Sequence, residues 1–169
     1  MSDDAKARPD ECRPRRESVV LAGSYLAATW FGVGYIRFGA GTIATATTLP
    51  LYWLLRLEPM QLQLAVAGLI AALSVLCAHL VAADCGQDDP QTVVIDEVTG
   101  ALVTLLIINS SLLWIQLAAL ALFRLFDIFK PWPVDVALGR HAGFNVVSDD
   151  VIAGALSGLL MLPVAHFAS

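Results

Sequence analysis

Residues 60–83, MQLQLAVAGLIAALSVLCAHLVAA, contain no Asp, Glu, Lys or Arg. A helix rising about 1.5 Å per residue over that stretch is about 36 Å long, enough to cross the hydrocarbon core of a bilayer. The rest of the chain has the same character: 57% hydrophobic residues, 15% charged residues and a mean hydropathy of +0.71. Soluble domains carry nearer a quarter charged residues, about 25%. One domain of 169 residues cannot hide this much apolar surface from water. The expected fold is an all-α integral membrane bundle of about 4–6 membrane helices with short hairpins.

Breaks in the apolar runs divide the chain. Residues 1–17 are charged and contain proline, and read as a disordered tail outside a single helical membrane domain over 18–169. The tail lacks the short apolar core and small-residue cleavage site of a secretion signal. Five of the ten Lys and Arg lie in it, offset by acids, which argues against a nucleic-acid arm. Lys and Arg dominate topology, so the tail is expected on the cytoplasmic side.

Residues 18–36 read as a first apolar helix, "RFGAGT" as a break, and 43–57 as a short helix stopped at Glu58-Pro59. Residues 84–93 form a polar loop, and 98–108 and 112–129 a hairpin about Asn109-Ser110-Ser111. "KPWP" stops that hairpin because Pro131 lacks a donor and biases Lys130 away from helical angles. Residues 134–148 read as an amphipathic or loop segment and 149–167 as a last apolar helix. Cys12, Cys77 and Cys85 form no CxxC pattern and read as plain thiols.

This alternation brings the unusual polar groups to one membrane face: Asp96-Glu97, Arg124/Asp127/Lys130, Asp149-Asp150 and the glycine break. For that face to be cytoplasmic, 18–36 must dip into the membrane or lie along its surface.

Charges at membrane depth are costly and commonly mark a pathway or a reaction. In "VVIDEVTG", Asp96 and Glu97 open a helix, where a capping acid and a first-turn acid are the ordinary alternative. In "FRLFDIFK", Arg124, Asp127 and Lys130 recur every three residues on one helical face. A self-neutralising set reaching for headgroups is the alternative there. "VVSDDVIAG" places Asp149 and Asp150 before an apolar helix.

Five carboxylates held together repel unless a divalent cation binds them or some take protons. Oxygen-only ligands with spare positions suit Mg²⁺ shared with a substrate phosphate. Asp96, Asp127 and Asp149 or Asp150 are the expected metal ligands, and Arg124 and Lys130 the expected phosphate contacts. "GVGYIRFGAGT" offers backbone N–H groups near Gly41 and Thr42 for a phosphate, with Arg37 beside them, although small residues also serve close helix packing. His79 and His141 are further candidates, for which surface or hydrogen-bonded roles are the plain alternative.

Together, "DPQTVVIDEVTG", "FRLFDIFKPWPV" and "SDDVIAG" resemble the signature blocks of the phosphatidylglycerophosphatase A family, in order, over roughly residues 22–165. The resemblance implies a compact helical bundle in the bacterial inner membrane with its site on the cytoplasmic face. It also implies Mg²⁺-dependent removal of the terminal phosphate from phosphatidylglycerophosphate. Asp89, Asp96, Glu97, Arg124, Asp127, Lys130, Asp149 and Asp150 would be the functional residues.

The chain departs from the family in its glycine loop, where Arg37 and Ala40 replace prolines and Ala44-Thr45 replaces Gly-Ser. The expected chemistry is in-line attack by a metal-activated water with Glu97 or an Asp as base; a covalent Asp intermediate stays open. The implied partners are a phospholipid phosphate monoester and the membrane, with no nucleic acid. Rival readings are a cation-binding or transport protein and an inactive relative that binds anionic lipid. Conduction calls for acids along the depth of several helices, whereas 60–83 and 151–167 carry none.

Overall fold

The computed structural model describes residues 12, 18–87, 90–129 and 144–168. Among them are six α-helices and no strand: α1 (Val19–Ala28), α2 (Ala40–Leu55), α3 (Met60–Cys85), α4 (Ile95–Ile108), α5 (Leu113–Phe129) and α6 (Phe144–Ala168), with a 3₁₀ turn at Val33–Tyr35 between α1 and α2. Lys130, Trp132, His141 and Asp89 lie outside the described residues, as do most of the tail and of the 134–148 segment.

Two helices, α3 and α6, are long and apolar enough to cross a membrane. Only 22% of the apolar window in α3 and 28% of that in α6 is buried inside the protein. A core helix of a water-soluble domain is mostly buried, and these two are not. Leu64, Leu69 and Leu76 on α3 and Leu159 and Leu160 on α6 are among the exposed side chains. The other helices are shorter than a bilayer is thick at about 1.5 Å per residue.

The segment expected as one helix over 18–36 is broken. α1 ends at Ala28, and Trp30, Phe31 and Gly32 take left-handed backbone angles, Gly32 with φ 94°. The Thr29 hydroxyl accepts the Gly32 N–H at 3.1 Å, and the Gly34 N–H donates to the Thr29 carbonyl at 2.9 Å. The turned chain then packs on the loop before α4, where a Cβ on Gly34 would collide with the Thr92 carbonyl oxygen. At ten residues α1 does not reach across a bilayer. It lies against the C-terminal half of α3, with Tyr25 and Ala28 packed among Cys77, Ala78 and Val81.

Cys12 and Cys85, 73 residues apart in sequence, lie with Cα atoms 5.8 Å apart beside Tyr25, which donates to Asp84. No spacing rule connects positions so far apart. Cys77 is a buried free thiol.

α4 is the central helix. Its buried face carries Ala101, Leu102 and Leu105, which cluster with Leu120 and Phe123 of α5 and Ala153 of α6, while Val98 packs with Ala44 of α2. The α4–α6 crossing is close because both helices carry glycine there. A Cβ on Gly154 would strike the Gly100 carbonyl, and one on Gly100 would sit 2.5 Å from the Asp150 carbonyl oxygen and 2.6 Å from the Phe123 ring. Thr104 ties the crossing, donating to the carbonyls of Gly100 at 3.0 Å and Gly154 at 3.1 Å.

At the opposite end the hairpin turns through Asn109, left-handed at φ 39°. The Ser110 carbonyl accepts from Tyr52 Oη at 3.2 Å and Gln116 Nε2 at 2.8 Å, and Trp53 Nε1 donates to Gln116 at 2.9 Å.

Candidate functional site

The chain direction through the helices settles what can meet. The starts of α2, α4 and α6 and the ends of α3 and α5 share one end of the bundle. Gly41, Asp96, Glu97, Arg124, Asp127, Asp149 and Asp150 all belong to those helix ends.

Asp96 and Glu97 lie in the first turn of α4, after an N-cap at Val94 that contributes no side-chain bond, so neither acid is the cap itself. The Val94 N–H donates to the Ala28 carbonyl at 2.9 Å and fixes this helix start against α1. The expectation for the last helix needs correction. α6 begins at Phe144, five residues before 149, so Asp149 and Asp150 sit inside it rather than at its entrance. Buried Val147 extends the packed face in front of them.

Asp150 lies four residues before Gly154 and Asp96 four before Gly100. Residues four apart share a helical face, so the glycine crossing that joins the two helices also presents their acids to one another. Asp150 stands within electrostatic reach of Asp96, Asp127 and Glu97, and meets Asp127 at hydrogen-bonding range. Asp149 is also buried, but points about 100° further round the helix.

Arg124 joins α4 to α5. Its Nη1 donates to Glu97 Oε1 at 3.4 Å and to Asp127 Oδ2 one helical turn on. The self-neutralising pair expected as an alternative is therefore present, extended by an acid from a second helix. Gly41 packs against this bridge: a Cβ there would run into Glu97 Oε1 and come within 2.9 Å of Arg124 Nη2. The glycine break thus reaches the acid cluster. Arg37 is exposed with its guanidinium 5.3 Å from the Phe38 ring, Thr42 is exposed one position beyond Gly41, and His79 is exposed on α3.

Burial raises the Glu97 carboxyl well above the usual carboxylate range, helped by the charge of Asp96 and opposed by Arg124. Glu97 Oε2, Asp150 Oδ2 and Arg124 Nε are buried with no hydrogen-bond partner. Among the described residues, no three acidic, His or Cys side chains stand in metal-binding geometry. The Arg124 guanidinium lies between Glu97 and Asp127. The donor chemistry nevertheless fits a hard divalent cation: all oxygen, supplied by three helices, with carboxylate oxygens lacking a donor.

Gly100 and Gly154, which set the acids' separation, were not singled out from the sequence. The Asp-x-x-x-Gly spacing common to "DEVTG" and "DVIAG" was the signal available.

The phosphatidylglycerophosphatase A family model matches residues 26–165. Phosphatidylglycerophosphatase A of Escherichia coli K12 is 30% identical over 144 residues, covering 84% of this chain and 83% of that protein. The protein of the same name from Haemophilus influenzae Rd is 33% identical over 162 residues, covering 93% and 98%. A Bacteroides thetaiotaomicron protein bearing the name "Putative phosphatidylinositol-3-phosphatase" is 34% identical over 142 residues, covering 80% and 89%. No solved structure matches the chain. Matched over most of its length in these ways, the chain belongs to the phosphatidylglycerophosphatase A family.

Proposed function

We propose that this protein is a lipid phosphate phosphatase of the bacterial inner membrane that hydrolyses phosphatidylglycerophosphate to phosphatidylglycerol and phosphate, with Mg²⁺ as cofactor and its site at the cytoplasmic face. The observation that carries this reading is the gathering of Asp96, Glu97, Asp127 and Asp150 at one end of an apolar bundle, where Arg124 bridges Glu97 and Asp127. A reaction that leaves a lipid in the leaflet and frees a phosphate dianion belongs at such a boundary. The acids gather at helix ends, which favours chemistry over conduction.

Asp96, Asp127 and Asp150, with Asp149 beside them, would hold the cation, which when bound offsets carboxylate repulsion and polarises the phosphoryl group. Arg124 turns its guanidinium from Glu97 and Asp127 to the phosphoryl oxygens, where its fork fits two of them. Lys130, three residues past Asp127 in the sequence, adds a second cation. Gly41 leaves room for the phosphate beside that fork. Glu97, whose burial strengthens its hold on a proton, takes one from water as the water oxygen bonds to phosphorus. The bond from phosphorus to the lipid oxygen breaks, and that oxygen receives the proton.

The test is phosphate release from phosphatidylglycerophosphate by purified protein with Mg²⁺ or with EDTA, alongside Asp127→Asn. Turnover that needs the metal and is lost in the variant supports the reading; turnover that survives both removes it. The name of the Bacteroides relative favours a second reading, another lipid phosphate monoester as substrate. Release from phosphatidylinositol-3-phosphate and not from phosphatidylglycerophosphate selects it.

A further inference from the structure

Beside the acid cluster a groove of about 450 Å³ runs between α2 and α5. Its floor is Leu49 and Leu120, both buried, and its rim includes the exposed Leu117, Leu125 and Ile128. Arg124, the residue that bridges Glu97 and Asp127, is part of its lining. The groove therefore passes the proposed phosphate contact, with Leu117 and Leu120 on one side of it along α5 and Ile128 and Phe129 on the other. From residue 117 to residue 129, α5 rises about 18 Å.

One polar atom interrupts the lining. Thr45 lines the groove, is 3% exposed, and its Oγ1 is buried with no hydrogen-bond partner. Its neighbours behave otherwise, since Thr47 and Thr48 both donate to the Ala44 carbonyl, at 2.7 and 3.1 Å. A buried hydroxyl left unsatisfied is costly, and a ligand oxygen in the groove relieves it. Thr45 precedes Leu49 by one helical turn, on the side of the groove nearer Arg124. From Arg124 toward Leu49 and Leu117, the lining runs cation, hydroxyl, then hydrocarbon. A phospholipid with a terminal phosphate presents anion, ester oxygens and acyl chain in that same order.

We propose that the α2–α5 groove is the substrate's acyl-chain subsite: it takes one fatty acyl chain of the lipid phosphate monoester, and Thr45 donates to an ester oxygen next to that chain. This rests on the phosphatase reading above and adds to it how the enzyme selects a lipid over a water-soluble phosphate. Chain burial in the groove fixes the phosphorus beside Arg124 and leaves the lipid tail in contact with the surrounding leaflet through the open rim.

The experiment has two arms. In the first, kcat/KM is measured for long-chain and for short-chain, water-soluble phosphatidylglycerophosphate, with wild type, Ala121→Trp and Thr45→Val. Ala121 lines the groove, and an indole there fills it. Losing the burial of only two methylenes costs on the order of tenfold. Ala121→Trp is therefore expected to lower the long-chain value by at least that much and to narrow its advantage over the short-chain substrate. Thr45→Val is expected to lower the long-chain value less, chiefly through KM. Equal losses on both substrates overturn the subsite.

In the second arm, wild-type protein in phosphatidylethanolamine vesicles is photolysed with a lipid phosphate monoester carrying a diazirine in its acyl chain. Adducts within 42–49 and 117–128, competed by the unlabelled lipid, support the subsite. Adducts spread over the outer faces of α3 and α6 overturn it. This arm reads the groove without turnover, so a wild type that releases no phosphate from either substrate defeats the phosphatase reading while the adduct map still decides the groove.

Discussion

Gly100 and Gly154 lie backbone against backbone, with no room for a Cβ on either helix at the α4–α6 crossing. Each follows an acid of the cluster by four residues, so the separation of the two glycines sets the separation of Asp96 and Asp150. Gly154→Ala is expected to destabilise the protein by about 1–3 kcal/mol, the usual range for overpacking a close contact. It is also expected to lower turnover beyond what partial unfolding explains. Thermal unfolding in detergent and kcat below the transition check both parts; a variant with wild-type values for both overturns the argument.

Gly41 has a different role, because the atoms against it belong to the ends of side chains that can move. Gly41→Ala pushes Glu97 Oε1 off the Arg124 bridge. The expected result is a drop in kcat/KM on the order of tenfold, the scale of one misplaced charge-assisted contact of about 1.5–3 kcal/mol, with little change in thermal midpoint. A large fall in stability with kcat/KM intact would show that Gly41 serves packing alone.

Mg²⁺ is expected to raise the thermal midpoint as its concentration rises, stabilising the folded state by about 2.7 kcal/mol at a hundredfold excess over its dissociation constant. Asp150→Asn should abolish that rise, because it removes the α6 ligand. It should also raise the midpoint in EDTA, because it removes one of several facing buried charges. A metal-induced rise of full size in the variant rules Asp150 out as a ligand.

Glu97 gives the metal-free protein a pH dependence of known sign. Its folded-state affinity for a proton is raised by burial and by Asp96, so the folded state binds that proton more tightly than the unfolded chain does. Its contribution to stability is full below the unfolded carboxyl value of about 4.3 and is lost as pH rises through the higher folded value. In EDTA the thermal midpoint should therefore fall with rising pH over that window, and less steeply in Glu97→Gln. A midpoint that rises with pH in wild type and not in the variant contradicts the assignment.

Much of this molecule was legible because its signals are local. The uncharged run of α3 and the turn at Asn109 each follow from a few neighbouring residues, and the element ends they define bring the acids to one end. Other features depend on partners far along the chain. The break after Ala28 arises where Gly34 meets Thr92 and where Val94 bonds to Ala28. α6 starts early because Val147 has a buried place to pack. Arg124 read from its own helix as one of a row of charges, while its contact with Glu97, 27 residues away, exists only in the fold. Thr45 read as an ordinary replacement in a drifted loop, and its unsatisfied hydroxyl is visible only with α5 in place.

The polar knot around the Ser110 carbonyl bears on how a bulky lipid enters. Tyr52 and Trp53 of α2 are fastened there to the start of α5 and its preceding turn. Among the described residues no comparable bond ties the two helices near Thr42 and Arg124, so they form tweezers whose pivot is remote from the charges. Breathing then widens the jaws without shifting the hinge, and spin labels at 42 and 128 should show a broader distance distribution than labels at 54 and 113. Equal breadth at both ends would mean a rigid slot instead.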